Sequence, residues 1–326
     1  MRTSSAARFR GRRPVLVGVD GSVSAQGALA WATAEASYRH CPLHIVHAVT
    51  WPALGDPIDI TGATTVGDGV VEAARWILDE AENHARHLAP GLMVKAELFV
   101  AGAAPTLLSQ AEDAELVVVG SRGLGGFRGL LVGSVSATLA AHAPCPVIVV
   151  RPQRDGTAFP AYPTGRIVVG VDGSELSTAA LRFAFKEAAR RHVGVTAVHV
   201  TTPPRRHRSR STPSLIGEQV EQQRFDESLD QLRVPGIDLQ ARIVPGHPAQ
   251  VLIDESLGAE LVVVGSHGGG GFAGMLLGSV SHAVLQHAHS PVAVVHVRRT
   301  AANGTTHRAT RQLTGPRPLP ELEELS

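Results

Sequence analysis

The chain repeats itself. Glu115–Val135 reads ELVVVGSRGLGGFRGLLVGSV, and Glu260–Val280 reads ELVVVGSHGGGGFAGMLLGSV. Gly120, Gly123, Gly133 and Ser134 return as Gly265, Gly268, Gly278 and Ser279, each displaced by 145 positions. In both copies two residues separate the first two glycines and nine separate the second from the third. A repeat of this kind means one supersecondary unit built twice. The 326 residues provide for about two domains, each large enough to bury its own core.

The order of apolar runs says what is repeated. Pro14–Asp20 (PVLVGVD) is apolar on both faces, which predicts a central parallel strand, and Asp20-Gly21-Ser22 then opens a helix running to about Arg39. Further strands are predicted at Leu43–Val49, Val94–Val100, Leu116–Gly120 and Val147–Val150, with helices at Val70–Leu88, Pro105–Ala111 and Ser134–His142. Thr50–Asp68, rich in Pro, Gly and Thr, reads as a long loop suited to be a lid. The pattern restarts at Arg166–Ser174 (RIVVGVDGS) and continues through strands at Val195–Val200, Leu239–Val244, Leu261–Gly265 and Val292–Val295. Alternation of this kind gives an α/β fold: two tandem Rossmann-like domains with parallel sheets and right-handed crossovers. The expected domains are residues 13–151 and 166–298, leaving 1–12, 152–165 and 299–326 as tails and linker.

Composition excludes several function classes. A net charge of +1 offers no general attraction to nucleic acid or to an anionic membrane surface. No apolar run nears the ~20 residues of a membrane helix. The arginine-rich first thirteen residues lack the apolar segment of a secretory signal. Cys41 and Cys145, the only cysteines, form no CxxC motif, and they fit two buried thiols in a reducing cytoplasm. The basic stretch Arg205–Arg210 carries no interleaved aromatic residues and reads as a solvated loop. His142, His282, His287 and His289 are read as helix-end or surface histidines and not as a metal site. There is no GxxxxGK[ST] and no G-x-S-x-G at a strand-to-helix turn, so neither the phosphate-gripping lysine nor the hydrolase nucleophile is present.

The repeated loop does have chemistry. Glycine lets backbone N–H groups converge with no Cβ in the way, and the Gly-Ser pair sits where a helix begins, with its dipole toward an anion. Ser134 and Ser279 add hydroxyls able to cap that helix or to donate to a phosphate. In a doubly wound sheet the first and fourth strands flank the topological switch point, setting Asp20 opposite Gly120 and Asp172 opposite Gly265. A carboxylate there can hold ribose hydroxyls or a metal bridging phosphates.

Strand-Asp-Gly-Ser, a second strand ending His-Ala-Val or His-Val, and G-x2-G-x9-G-S together resemble the universal stress protein family across both halves. The resemblance implies a flavodoxin-like sheet of order 3-2-1-4-5 with helices on both faces. It also implies ATP, with Mg2+, between the first and fourth strands. Carried over by position, Val19, Asp20 and Ala48 contact adenosine, and Gly120, Gly123, Gly133, Ser134 and Val135 contact phosphates. The second site uses Val171, Asp172, Val200, Gly265, Gly268, Gly278, Ser279 and Val280. The family's pairing of domains through the last strand implies that Val147–Val150 and Val292–Val295 run antiparallel, making one chain an internal pseudo-dimer, with a homodimer also open.

The copies differ in charge. Arg122 and Arg128 in the first loop become His267 and Ala273 in the second. The first site is therefore expected to bind triphosphate more tightly at neutral pH, and the second to gain affinity as His267 protonates below about pH 6.5. The resulting expectation is a cytoplasmic ATP-binding sensor or regulator in stress or dormancy, acting on an unidentified protein partner, with at most slow hydrolysis. A nucleotide-hydrolysing or nucleotidyl-transferring enzyme and a scaffold with structural glycines are the alternatives.

Overall fold

The computed structural model describes residues 11–50, 66–124, 131–151, 165–201, 215–268 and 277–297. The first half runs β1 (Val15–Val19), α1 (Val23–Arg39), β2 (Leu43–Val49), α2 (Val66–Leu88), β3 (Val94–Val100), α3 (Ala103–Ala111), β4 (Leu116–Gly120), α4 (Ser134–His142) and β5 (Val147–Val150). The second runs β6 (Arg166–Gly170), α5 (Glu175–Arg191), β7 (Gly194–Thr201), α6 (Leu215–Asp230), β8 (Leu239–Pro245), α7 (Pro248–Glu255), β9 (Leu261–Gly265), α8 (Ser279–His287) and β10 (Val292–Val295). The loop 51–65, the linker 152–164, Arg128, Ala273 and the basic stretch 205–210 lie outside the described residues.

β1 sits between β2 and β4 with parallel pairing on both sides, as a strand apolar on both faces must. Its residues alternate between two cores. Val15, Val17 and Val19 face α1 and α2, while Leu16 faces α3 and α4. Gly18 breaks the run because α3 packs hard against it: a Cβ there would lie 2.8 Å from Leu107 Cδ1. Gly170 stands in the same relation to Leu252, at 2.9 Å.

Each half has the strand order 3-2-1-4-5, and the two join into one ten-stranded sheet, β3-β2-β1-β4-β5-β10-β9-β6-β7-β8. The seam is antiparallel, with Ile148 opposite Ala293, as the last strands were expected to pair. Pairing removes the exposed edge that each β5-type strand would otherwise present.

Helix ends follow local chemistry. Ser22 caps α1 by accepting from Ala25 N (3.2 Å), and Ser174 caps α5 by accepting from Ser177 N (3.1 Å). α3 begins two residues before the expected Pro105, since proline is tolerated in a first turn. α2 likewise begins at Val66 rather than Val70.

Above the seam, α1 and α5 meet through a buried charge ring invisible in the sequence. Arg39 bonds Glu35 of its own helix and Glu187 of the other, each at 2.5 Å. Arg191 in turn pairs with Glu35 and stacks on Trp31 at 4.9 Å. Burial and the charge of Glu35 push the Glu187 carboxyl up to about 8. Glu35 lies below the usual carboxylate range despite burial, because Glu187 hydrogen-bonds to it and Arg191 and Arg39 face it.

Candidate functional site

The candidate site lies where β1 and β4 end. β1 delivers Asp20 just beyond Val19, and the carboxylate is fixed from two sides. Ser22 N donates to Oδ1 and Leu124 N to Oδ2, both at 3.0 Å. The second bond draws the glycine loop over the end of β1, and it explains Gly123: a Cβ there would overlap the Asp20 carboxylate. Gly120 is equally confined, since its Cβ would lie 2.7 Å from the Ser24 backbone.

The far limb of the loop returns through Gly133, whose N–H donates to Ser121 O at 2.7 Å. Gly133 is the N-cap of α4 and makes no side-chain cap. Of the two roles open to Ser134, capping or donating to a phosphate, the cap is corrected: Ser134 is the first helical residue, one place too late to cap, and it is exposed. The same holds for Ser279 after its N-cap Gly278. The first intrahelical bond at the N-cap is Ala137 N to Gly133 O, so the amides of Ser134, Val135 and Ser136 form the open end of the helix.

The nine residues singled out in the first half, Val19, Asp20, Ala48, Gly120, Arg122, Gly123, Gly133, Ser134 and Val135, all line one cavity of about 450 Å³. Val46, Leu107 and Val119 give it an apolar wall, and among the described residues Asp20 is the one carboxylate lining it. One end is apolar, the other offers helix amides and a guanidinium.

The second half repeats the frame. Ser174 N donates to Asp172 Oδ1 at 3.0 Å, and a Cβ on Gly268 would lie 2.6 Å from Asp172 Oδ2. Gly278 N donates to Ser266 O at 2.7 Å, and a Cβ on Gly278 would meet His267 Cα at 3.2 Å. Gly265 packs against Leu176, so the loop, Asp172 and the start of α8 converge as in the first half. Val171 is buried, and Val200 and Val280 pack against the apolar core under the loop.

Several contributors were not legible beforehand. His47 on β2 donates from Nδ1 to Val19 O (2.7 Å), and His199 does the same to Val171 O (2.7 Å), holding the end of the first strand beside each Asp. Ser136 and Ser281 donate to Gly120 O and Gly265 O, each at 2.6 Å, tying the helix to the strand end. The matched spacing of these residues in the two halves was the available signal. Ser24 has no such match. It accepts from Arg122 N at 3.3 Å, whereas Leu176 takes its place in the second half.

Among the described residues no group of three or more His, Cys, Asp or Glu is placed to hold a metal, and no helix is long and apolar enough to cross a membrane. Both cysteines are buried thiols outside any disulfide.

Comparison with known proteins covers nearly all of this architecture. A universal stress protein of Mycobacterium tuberculosis is 37% identical over 297 residues, spanning 87% of this chain and 97% of its own length. A second from the same species is 36% identical over 286 residues, spanning 86% and 95%. The crystal structure of a universal stress protein from Archaeoglobus fulgidus shares the fold at a TM-score of 0.64 and 19% identity, covering 87% of this chain and 98% of that one. The sequence profile of the Universal stress protein family matches residues 11–151 and 163–296, and the chain belongs to that family.

Proposed function

We propose that the chain binds ATP at the ends of β1 and β4 and at the equivalent ends of β6 and β9, and acts as a nucleotide-responsive regulator. One observation carries this reading. A single cavity brings together an apolar wall, a carboxylate, a guanidinium and the open N-terminus of α4, which are the separate requirements of base, ribose and phosphates.

Ala48, Val46 and Leu107 suit an adenine ring. Asp20 uses one lone pair on each oxygen inside the protein, and its remaining capacity suits ribose hydroxyls. The amides of Ser134 and Val135, the Ser134 hydroxyl and Arg122 suit the phosphates. A Mg2+ would be held by the phosphates themselves, with Asp20 the carboxylate available to it; bound there, it would neutralise phosphate charge. Among the described residues, Asp20 and Arg122 are the charged residues lining the cavity, and both have positioning work, so hydrolysis is expected to be slow. The regulatory role is the family expectation applied to this chain.

A scaffold reading is favoured by the packing at Gly120 and Gly123, where the protein itself excludes a Cβ. Gly133 separates the two readings. A Cβ there meets no described residue closer than 3.5 Å, so packing among the described residues does not require glycine.

The test is to denature purified protein and identify by mass spectrometry what it releases, then titrate the emptied protein with Mg-ATP. Nucleotide at one to two per chain, lost from one site in Gly133→Ala, supports the reading. An empty protein that gives no heat with Mg-ATP overturns it and leaves the scaffold. Turnover near ~10 per second would instead favour a dedicated enzyme.

A further inference from the structure

The two candidate sites lie in different halves, but one side chain bonds both the first loop and the far end of the second site's helix. Arg151, the first residue beyond β5, donates from Nη2 to Leu131 O at 2.9 Å, two residues before Gly133 in the first loop. Its Nη1 reaches across the seam to Ala288 O at 3.5 Å. Ala288 is the C-cap of α8, the helix whose N-terminus belongs to the second site.

The repeat supplies a counterpart running the other way. His296, the residue after β10, is displaced from Arg151 by the same 145 positions. Its Nε2 donates to Ala140 O at 3.0 Å, in the last turn of α4. The groups acting on His296 include His267 of the second loop, together with His142 of α4 and the Cys145 backbone. Each residue thus stands by its own half's loop and bonds the far end of the other half's site helix. α4 and α8 have nine residues apiece, short enough to move as rigid units.

A ligand has a reason to disturb this arrangement. Burial and the positive charge of Arg122 both press the Arg151 pKa downward. Its Nε is buried without a partner among the described residues. A polyanion beside Arg122 supplies the opposing charge that Arg151 lacks. It favours a guanidinium held to the loop over one shared with Ala288, whose contact at 3.5 Å is the weaker of the two. Such a differential interaction is what a ligand requires to shift one arrangement toward another.

We propose that Arg151 is a positioning residue that couples the two nucleotide sites across the β5–β10 seam, with His296 as its counterpart from the second half. The coupling rests on the nucleotide-binding reading; the cross-seam tie itself does not.

The test uses the full chain carrying Ser279→Glu, which sets a repelling charge where the second site would take phosphate while leaving an acidic residue in the first turn of α8, where the helix tolerates it. The non-hydrolysable analogue AMP-PNP then has only the first site to fill, with calorimetry setting its occupancy. Hydrogen exchange is followed at Val284–Ala288, where the Ala288 amide donates to Val284 O. Filling the first site should change exchange there at least threefold. Arg151→Ala should abolish that response while AMP-PNP still binds. Arg151→Lys, which keeps the charge but can reach only one of the two carbonyls, should abolish it too and guards against a folding defect in the alanine variant. An unchanged response in Arg151→Ala, or none in the parent with the first site filled, overturns the coupling. If AMP-PNP does not bind at all, the nucleotide reading fails. The tie is then judged without ligand: Arg151→Ala should speed exchange both at 131–137 and at 284–288, and an effect confined to the first half overturns it.

Discussion

Gly123 and Asp20 occupy positions that exclude a side chain between them: the space a Cβ would need is filled by the carboxylate of Asp20, which also receives Leu124 N at 3.0 Å. The glycine loop is thereby docked on the end of β1 by the residue expected to hold the ligand. Gly123→Ala should therefore fail twice, in stability and in binding, by displacing Asp20. Gly133→Ala meets only ordinary contacts of 3.5 Å or more among the described residues and should cost no more than about 1 kcal/mol of chemical-denaturation stability, that of replacing a glycine N-cap by alanine. If it lowers ATP affinity by tenfold or more while stability holds, the glycine is there for the ligand. Equal binding by wild type and Gly133→Ala would show that it is not.

Glu187 provides a pH prediction with a definite sign. Its folded pKa is raised from 4.5 to about 8, so the folded state binds more protons than the unfolded state between those values. Stability falls as pH rises through that window, with a limiting slope of about 1.4 kcal/mol per pH unit for one proton. Glu187→Gln imitates the protonated carboxyl and should be increasingly stabilised relative to wild type from pH 6 to pH 8. Urea melts across that range check it; parallel curves for the two proteins would mean that Glu187 is ionised beside Arg39.

That ring marks where sequence reading stopped. The strands were legible because burial on both faces writes itself as continuous Val, Leu and Ile, and the limits of β2, β3, β4, β5, β9 and β10 agree residue for residue. The loop was legible because glycine spacing recurred. Glu35, Arg39, Glu187 and Arg191 look like the polar side of two amphipathic helices, and only the seam makes that side an interior. Their pairing joins residues 148 positions apart, and no local period announces it. The roles of His47, named only as part of a strand-end motif, and of Ser136 were missed for a related reason: each bonds the backbone carbonyl of a neighbouring strand end, an interaction set by the fold and not by residue type.

His296 makes a second pH prediction, opposite in sign to that of Glu187. Burial lowers its pKa below 6.5 in the folded protein. The unfolded state takes up the proton first as pH falls, so stability is fully present above about 6.5 and declines on acidification. His296→Gln keeps a donor for Ala140 O and has no proton to gain. Its stability between pH 7 and 5 should decline less than that of wild type, and an equal decline would place the acid-sensitive group elsewhere.

The sharpest contrast between the sites is Arg122 against His267, at matched places beside matched loops. Arg122 brings a guanidinium, and Ser24 Oγ accepts from its backbone N–H at 3.3 Å. His267 instead lies next to Ser266 Oγ, at 3.1 Å from Nδ1, and Leu176 replaces the serine that steadies the first loop. A single positive charge near a phosphate in partly shielded surroundings contributes on the order of 1–3 kcal/mol. His267→Arg should therefore raise ATP affinity at the second site about tenfold at pH 7.5. Calorimetric titration of Gly133→Ala and of Gly133→Ala/His267→Arg, which share the same first site, reads that gain. No gain would remove His267 from the site.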